Sequence, residues 1–166
     1  MRTATVLSAI VAAGLTVGAA AAEAQTSASI QATATVLSAL TVAAGNNLLF
    51  GNVTPGVDKT IGITDAGAGT FNVTKAANSD VTLSFTLPAS LTSGAATLPI
   101  GTWTGGWNTT PVPAGATSFT PSAGGHTTGP TLSTALHVFV GATVSPAAAQ
   151  AAGTYTGSVT MSVVYF

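Results

Sequence analysis

The sequence predicts an all-β fold, an antiparallel sandwich with Greek-key connections. Three observations point there. Apolar and polar residues alternate with a period of two over most of the chain beyond residue 25, as strands with one buried face require. Clusters of Gly, Asn, Pro and Ser interrupt that alternation at short intervals. Beyond residue 25, apolar residues do not hold a 3.6-residue period long enough for a globular helix.

The elements follow in order. Met1-Arg2 is a short basic start, and residues 6–22 are rich in Ala, Val and Leu. Ala22-Glu23-Ala24 then places small residues where a signal peptidase reads them, so residues 1–24 are expected to be a signal peptide cleaved after Ala24. Cleavage there leaves no membrane-spanning segment. Ala28, Ile30, Ala32, Ala34 and Val36 then alternate with Ser29, Gln31, Thr33 and Thr35, predicting a strand within an N-terminal segment of residues 25–37. The remaining domain, residues 38–166, reads as many short strands. They are expected at residues 40–42, 48–53, 60–64, 70–74, 81–87, 96–103 and 117–120. Turns are expected at Gly45-Asn46-Asn47, Pro55-Gly56, residues 65–69, Gly105-Gly106 and residues 122–125. Residues 105–130 read as loops carrying one short strand. Leu132, Leu136, Val138 and Val140 share a face, and so do Tyr155, Val159, Met161, Val163 and Tyr165. Residues 146–152 offer one helical turn, which Gly153 stops.

Charge and cysteine content narrow the function classes. Charged residues make up 4% of the chain, against about 25% in an ordinary soluble domain. Beyond the leader they are Lys59 and Lys75 against Asp58, Asp65 and Asp80, and no charged residue follows Asp80. Such a chain has no electrostatic footprint for nucleic acid. With no cysteine it has no disulfides or thiolate sites. His126 and His137 are the only histidines, too few ligands for a metal site, and neither has an acidic residue near it in sequence. Asp65 and Asp80 suit turns. Acid–base catalysis needs titratable groups that this chain scarcely has, so no enzyme, catalytic residue, metal or cofactor is expected. Trp103 and Trp107 flank Thr104-Gly105-Gly106. On a loop they would stack on a sugar ring or meet another subunit; on a hairpin they would cap one end of the core.

The two terminal strands contain neither charge nor Pro, the usual guards of a sheet edge. The C-terminus also carries a pattern. Tyr165 is penultimate, Gly153 stands fourteenth from the end, and Val159, Met161 and Val163 fill alternate places between. This resembles the final strand of chaperone–usher pilins. Leu49-Phe50-Gly51 followed by Pro55-Gly56 resembles a segment near the start of spore-coat-protein-U-like secreted domains. A related uncharacterised bacterial family shares that segment and the ending seen here as Ala152-Gly153-Thr154-Tyr155-Thr156-Gly157. Many pilins carry a disulfide beginning just after their N-terminal extension, where this chain has Ser38-Ala39.

The resemblance implies an immunoglobulin-like sandwich lacking its last strand. An N-terminal extension of the neighbouring subunit would fill the resulting groove, and a periplasmic chaperone would fill it first by β-augmentation. Ala28, Ile30, Ala32, Ala34 and Val36 would be the plugs of the donated strand. Gly153, Tyr155, Val159, Met161, Val163 and Tyr165 would form the assembly strand. Residues 28–36 equally suit the domain's own first strand. The expected function is a secreted structural subunit of a bacterial surface filament or coat, passing through the periplasm. Its expected partners are itself or related pilins, a chaperone and an outer-membrane usher. The alternative is a monomeric carbohydrate-binding or adhesive module using Trp103 and Trp107.

Overall fold

The computed structural model describes residues 26–166, so the predicted signal peptide and its cleavage site lie outside the described residues. The chain divides into two compact units, the second being Val36–Phe166. In the first, residues 26–35 form no strand and every one of them is exposed. The alternation there has no ladder to join within this chain.

The second unit is all-β, with ten antiparallel strands and no helix among the described residues. They are β1 (Thr41–Ala44), β2 (Lys59–Ile61), β3 (Gly69–Thr74), β4 (Val81–Thr86) and β5 (Ser90–Ser93). After them come β6 (Ala96–Asn108), β7 (Thr117–Phe119), β8 (His126–Thr128), β9 (Ala135–Val144) and β10 (Thr160–Tyr165). One sheet has the order β1-β3-β9-β6-β5, with β2 on β9 and β7 on β6; the other is β10-β4-β8. Sheet neighbours such as β3 and β9 are distant in sequence, so connections cross between sheets as in Greek-key sandwiches.

The two sheets share one core. Val73, Leu136, Val138 and Val140 from the larger sheet meet Val81, Leu83, Phe85 and Met161 from the smaller. These positions alternate with exposed or half-buried polar residues along β4 and β10, as a two-sided strand requires. A second cluster joins Leu98 and Ile100 of β6 to Ala142 and Val144 of β9.

Several local expectations are corrected. Gly105-Gly106 is no turn but lies inside β6, the longest strand at 13 residues. A Cβ on Gly105 would stand 2.7 Å from the Phe119 ring, and one on Gly106 would stand 2.7 Å from Ile63 Cδ1. Those glycines permit close approach rather than reversal, a role sequence does not separate from a turn. The stretch 105–130 therefore holds the end of β6 together with β7 and β8. Residues 48–53 form no strand, and residues 146–152 make a turn, not a helix. Leu132 is 85% exposed, because β9 starts only at Ala135. The final alternating run enters a ladder only from Thr160, apart from one bridge between Thr156 and Thr92.

Candidate functional site

Tyr165 closes one pole of the sandwich. It pairs with Val81 at the end of the β10–β4 ladder. Its hydroxyl donates to the Ser38 carbonyl (2.9 Å) and accepts from the Ala76 N–H (2.7 Å). Lys75 is fully buried beside this point. Its ammonium donates to the carbonyls of Ser79 (3.0 Å) and Ala76 (3.2 Å), which compensates its burial. Nothing in the alternation marks Lys75 as interior. The Phe166 N–H donates to the Asp80 carbonyl, so the end of the chain is tied as well.

From that pole the two terminal stretches separate. Among the described residues β1 pairs only with β3, and β10 only with β4. Further along lies a groove of about 990 Å³. Leu48, Leu49, Phe50 and Val53 line one side; Tyr155, Gly157 and Val159 line the other; Leu91, Leu98 and Ile100 lie between. Leu98 and Ile100 belong to the second core cluster. The large side chains packed against that cluster, Leu48, Phe50, Val53, Leu91 and Tyr155, are only partly buried. This part of the core is therefore unfinished on its groove side. Leu49 is 61% exposed.

The groove walls are held in place without a ladder of their own. Leu49 N–H donates to the Gly67 carbonyl at 2.8 Å, and a Cβ on Gly67 would collide with the Leu49 carbonyl. On the other wall Gln150 Nε2 donates to the Thr97 carbonyl (3.0 Å) and to Tyr155 Oη (2.7 Å). Tyr155 Oη donates in turn to the Ala151 carbonyl (2.7 Å). A Cβ on Gly157 would stand 2.7 Å from Leu91 Cδ2, so a larger residue here would displace the Leu91 side chain.

The assembly-strand residues thus divide. Met161 is 5% exposed in the core, with Val159, Val163 and Tyr165 packed against the same cluster. Gly153, Tyr155 and Val159 line the groove. The plug residues Ala28, Ile30, Ala32, Ala34 and Val36 are all exposed, Ile30 at 95% and Val36 at 93%. The sequence did not single out Leu91, Leu98 and Ile100 as site residues. Their alternation marks a buried face without showing that the face is incompletely covered.

Trp103 and Trp107 do not stand on a loop. Both lie in β6, half-buried and packed against the core, and Trp107 Nε1 is buried with no acceptor. The exposed sugar-stacking pair is corrected accordingly. His126 lies in β8 and stacks on Phe119 with ring centroids 4.7 Å apart. No group of three or more His, Cys, Asp or Glu is placed to hold a metal ion among the described residues. No helix there is long and apolar enough to cross a membrane.

A family profile described as a domain of unknown function, DUF4402, matches residues 40–165. The chain belongs to the DUF4402 family. The match takes in β1, both groove walls and β10, so the groove belongs to the DUF4402 domain itself, whereas residues 26–36 precede it. No curated protein and no solved structure matches the chain.

Proposed function

We propose that this DUF4402 chain is a secreted, pilin-like structural subunit of a bacterial surface filament or coat. In this reading the segment before β1 completes the groove of a neighbouring copy. The observation that carries it is the 990 Å³ groove, with Leu91, Leu98 and Ile100 in its lining, beside an unfinished core cluster. An occupant that supplies alternate apolar side chains and a hydrogen-bonding backbone is a β-strand. Residues 26–36 have that form, carry no charge and are exposed. Each large plug, Ile30 or Val36, would contribute about 1.5–3 kcal/mol on burial.

Donation to another copy is favoured over self-insertion by chain geometry. Ser38 is fixed to Tyr165 at the closed pole. To enter its own groove the segment would have to reverse at Leu37-Ser38-Ala39, whose one turn-favouring residue, Ser38, already has its carbonyl held by Tyr165. A periplasmic chaperone would hold the same groove during transit, and an outer-membrane usher would direct the exchange between copies.

Size-exclusion chromatography with light scattering tests the proposal on the intact chain, a chain lacking residues 25–37, and Ile30→Asp. The intact chain should form oligomers that resist dissociation. Both variants should stay monomeric, and the shortened chain should bind an added peptide of residues 27–36. Ile30→Asp fails because it would bury an unpaired carboxylate. A stable monomer from the intact chain at every concentration would overturn strand donation.

A further inference from the structure

A second, smaller cleft lies on the outer face of the larger sheet and shares only Asn46 and Thr70 with the groove. β9 turns Leu136, Val138 and Val140 to the core and so turns His137 and Phe139 outward. Asn72 of β3 stands opposite His137, and Thr70 opposite Phe139. These four side chains, with Gly45, Asn46 and Pro111, line a cavity of about 220 Å³. Drug-sized ligands occupy roughly 300–1,000 Å³, so the space fits a single small ring.

The flanks of the cleft are tied to the sheet. Beyond β1 the chain continues along Thr70: the Gly45 N–H donates to the Thr70 carbonyl (2.8 Å), and the Asn46 N–H to Thr70 Oγ1 (2.7 Å). A Cβ on Gly45 would collide with that hydroxyl, so glycine sets the spacing. Opposite, Asn108 Nδ2 donates to the carbonyls of Val112 (3.0 Å) and Ala114 (3.3 Å), fixing the loop that carries Pro111.

The chemistry of the lining is specific. Asn72 Oδ1 and His137 Nδ1 are 2.8 Å apart. An amide oxygen only accepts, so the proton sits on Nδ1. In the neutral ring this leaves Nε2 as an acceptor, and Asn72 keeps its Nδ2 as a donor. Pro111 and the little of Phe139 that is exposed (4%) supply the apolar part of the lining. No Asp, Glu, Lys or Arg lines the cleft, so a charged ligand would find no counter-charge. A donor and an acceptor in one uncharged lining suit hydroxyls of an uncharged ring. We propose that this cleft binds one neutral sugar ring, with Asn72 Nδ2 and His137 Nε2 gripping its hydroxyls.

Two-dimensional NMR of the intact chain, titrated with glucose, galactose, mannose and, as a charged control, glucuronate, tests this. At least one neutral hexose should give saturable shifts at His137 and Asn72, with a Kd of about 1 mM, while glucuronate gives none. Asn72→Ala and His137→Phe should each weaken binding about tenfold, the loss of one hydrogen bond, while their spectra away from the cleft keep the dispersion of the folded chain. The absence of saturable shifts with all three hexoses would overturn the proposal. Equal binding by both variants, or equal binding of glucuronate, would overturn it as well. His137 and Asn72, where binding is read, do not line the groove.

Discussion

Met161 and Ser162 are chain neighbours with opposite surroundings. Met161 is 5% exposed in the shared core, and Ser162 is exposed on the other face of β10. Met161→Asp should therefore cost several kcal/mol, because its carboxylate has no partner among Leu83, Phe85 and Val138. Ser162→Asp should stay within about 0.5 kcal/mol. Tyr165 depends on its oxygen as well as its ring. Tyr165→Phe keeps the packing but leaves the Ala76 N–H and the Ser38 carbonyl without their partner, for a loss of about 1–3 kcal/mol. Urea unfolding of the three variants should rank them Ser162→Asp, Tyr165→Phe, Met161→Asp in increasing damage. Equal midpoints for the two aspartate variants would mean that the register of β10 is wrong.

Among the elements, β6 organises the larger sheet. Its first part pairs with β5 and its last part with β7, while β9 runs along the opposite edge. The β6–β9 register shifts between Gly101 and Thr104. Thr102 sits in that irregularity at φ 47°, a conformation that β-branched residues rarely adopt. Left-handed backbone at a non-glycine residue costs about 1–3 kcal/mol. Thr102 is exposed, so Thr102→Gly removes the strain with little lost packing. We expect it to raise stability by about 1 kcal/mol, read as a higher urea midpoint at unchanged slope. A lower midpoint would show that the Thr side chain matters more than its backbone strain. The same element explains why Trp103 and Trp107 pack against the core: alternate positions of one strand face one way, whatever a loop reading suggests.

For the whole molecule, the distribution of charge sets how copies should associate. The described residues carry five charged side chains, all between Asp58 and Asp80. None lies in residues 26–37 and none lines the groove. Assembly through that groove would bury apolar surface and pair backbone groups, neither of which ordinary salt screens. Oligomer yield should therefore change little between low and moderate sodium chloride, and should rise in sulfate, which favours burial. Sedimentation velocity across those salts checks this. Dissociation by sodium chloride would point to a charged interface and away from the groove.

Much of this fold was legible because a strand writes its faces locally. The alternation at Val81, Leu83 and Phe85, and that at Met161, Val163 and Tyr165, depends only on the pleat, and both stretches are strands. The same pattern at residues 28–36 makes no strand in the single chain, because a strand also needs a neighbour to take its backbone hydrogen bonds. Gly105-Gly106 shows the converse: the residues of a turn serve as a close approach once Phe119 and Ile63 lie across them. The sequence by itself determined the all-β class, the faces of strands such as β4 and β10, and the scarcity of charge. Only the tertiary structure decided that Leu98 and Ile100 floor an open groove, that Lys75 is interior and that Asn72 meets His137. Those facts depend on contacts between residues far apart in the chain, and local alternation carries no record of which distant neighbour arrives.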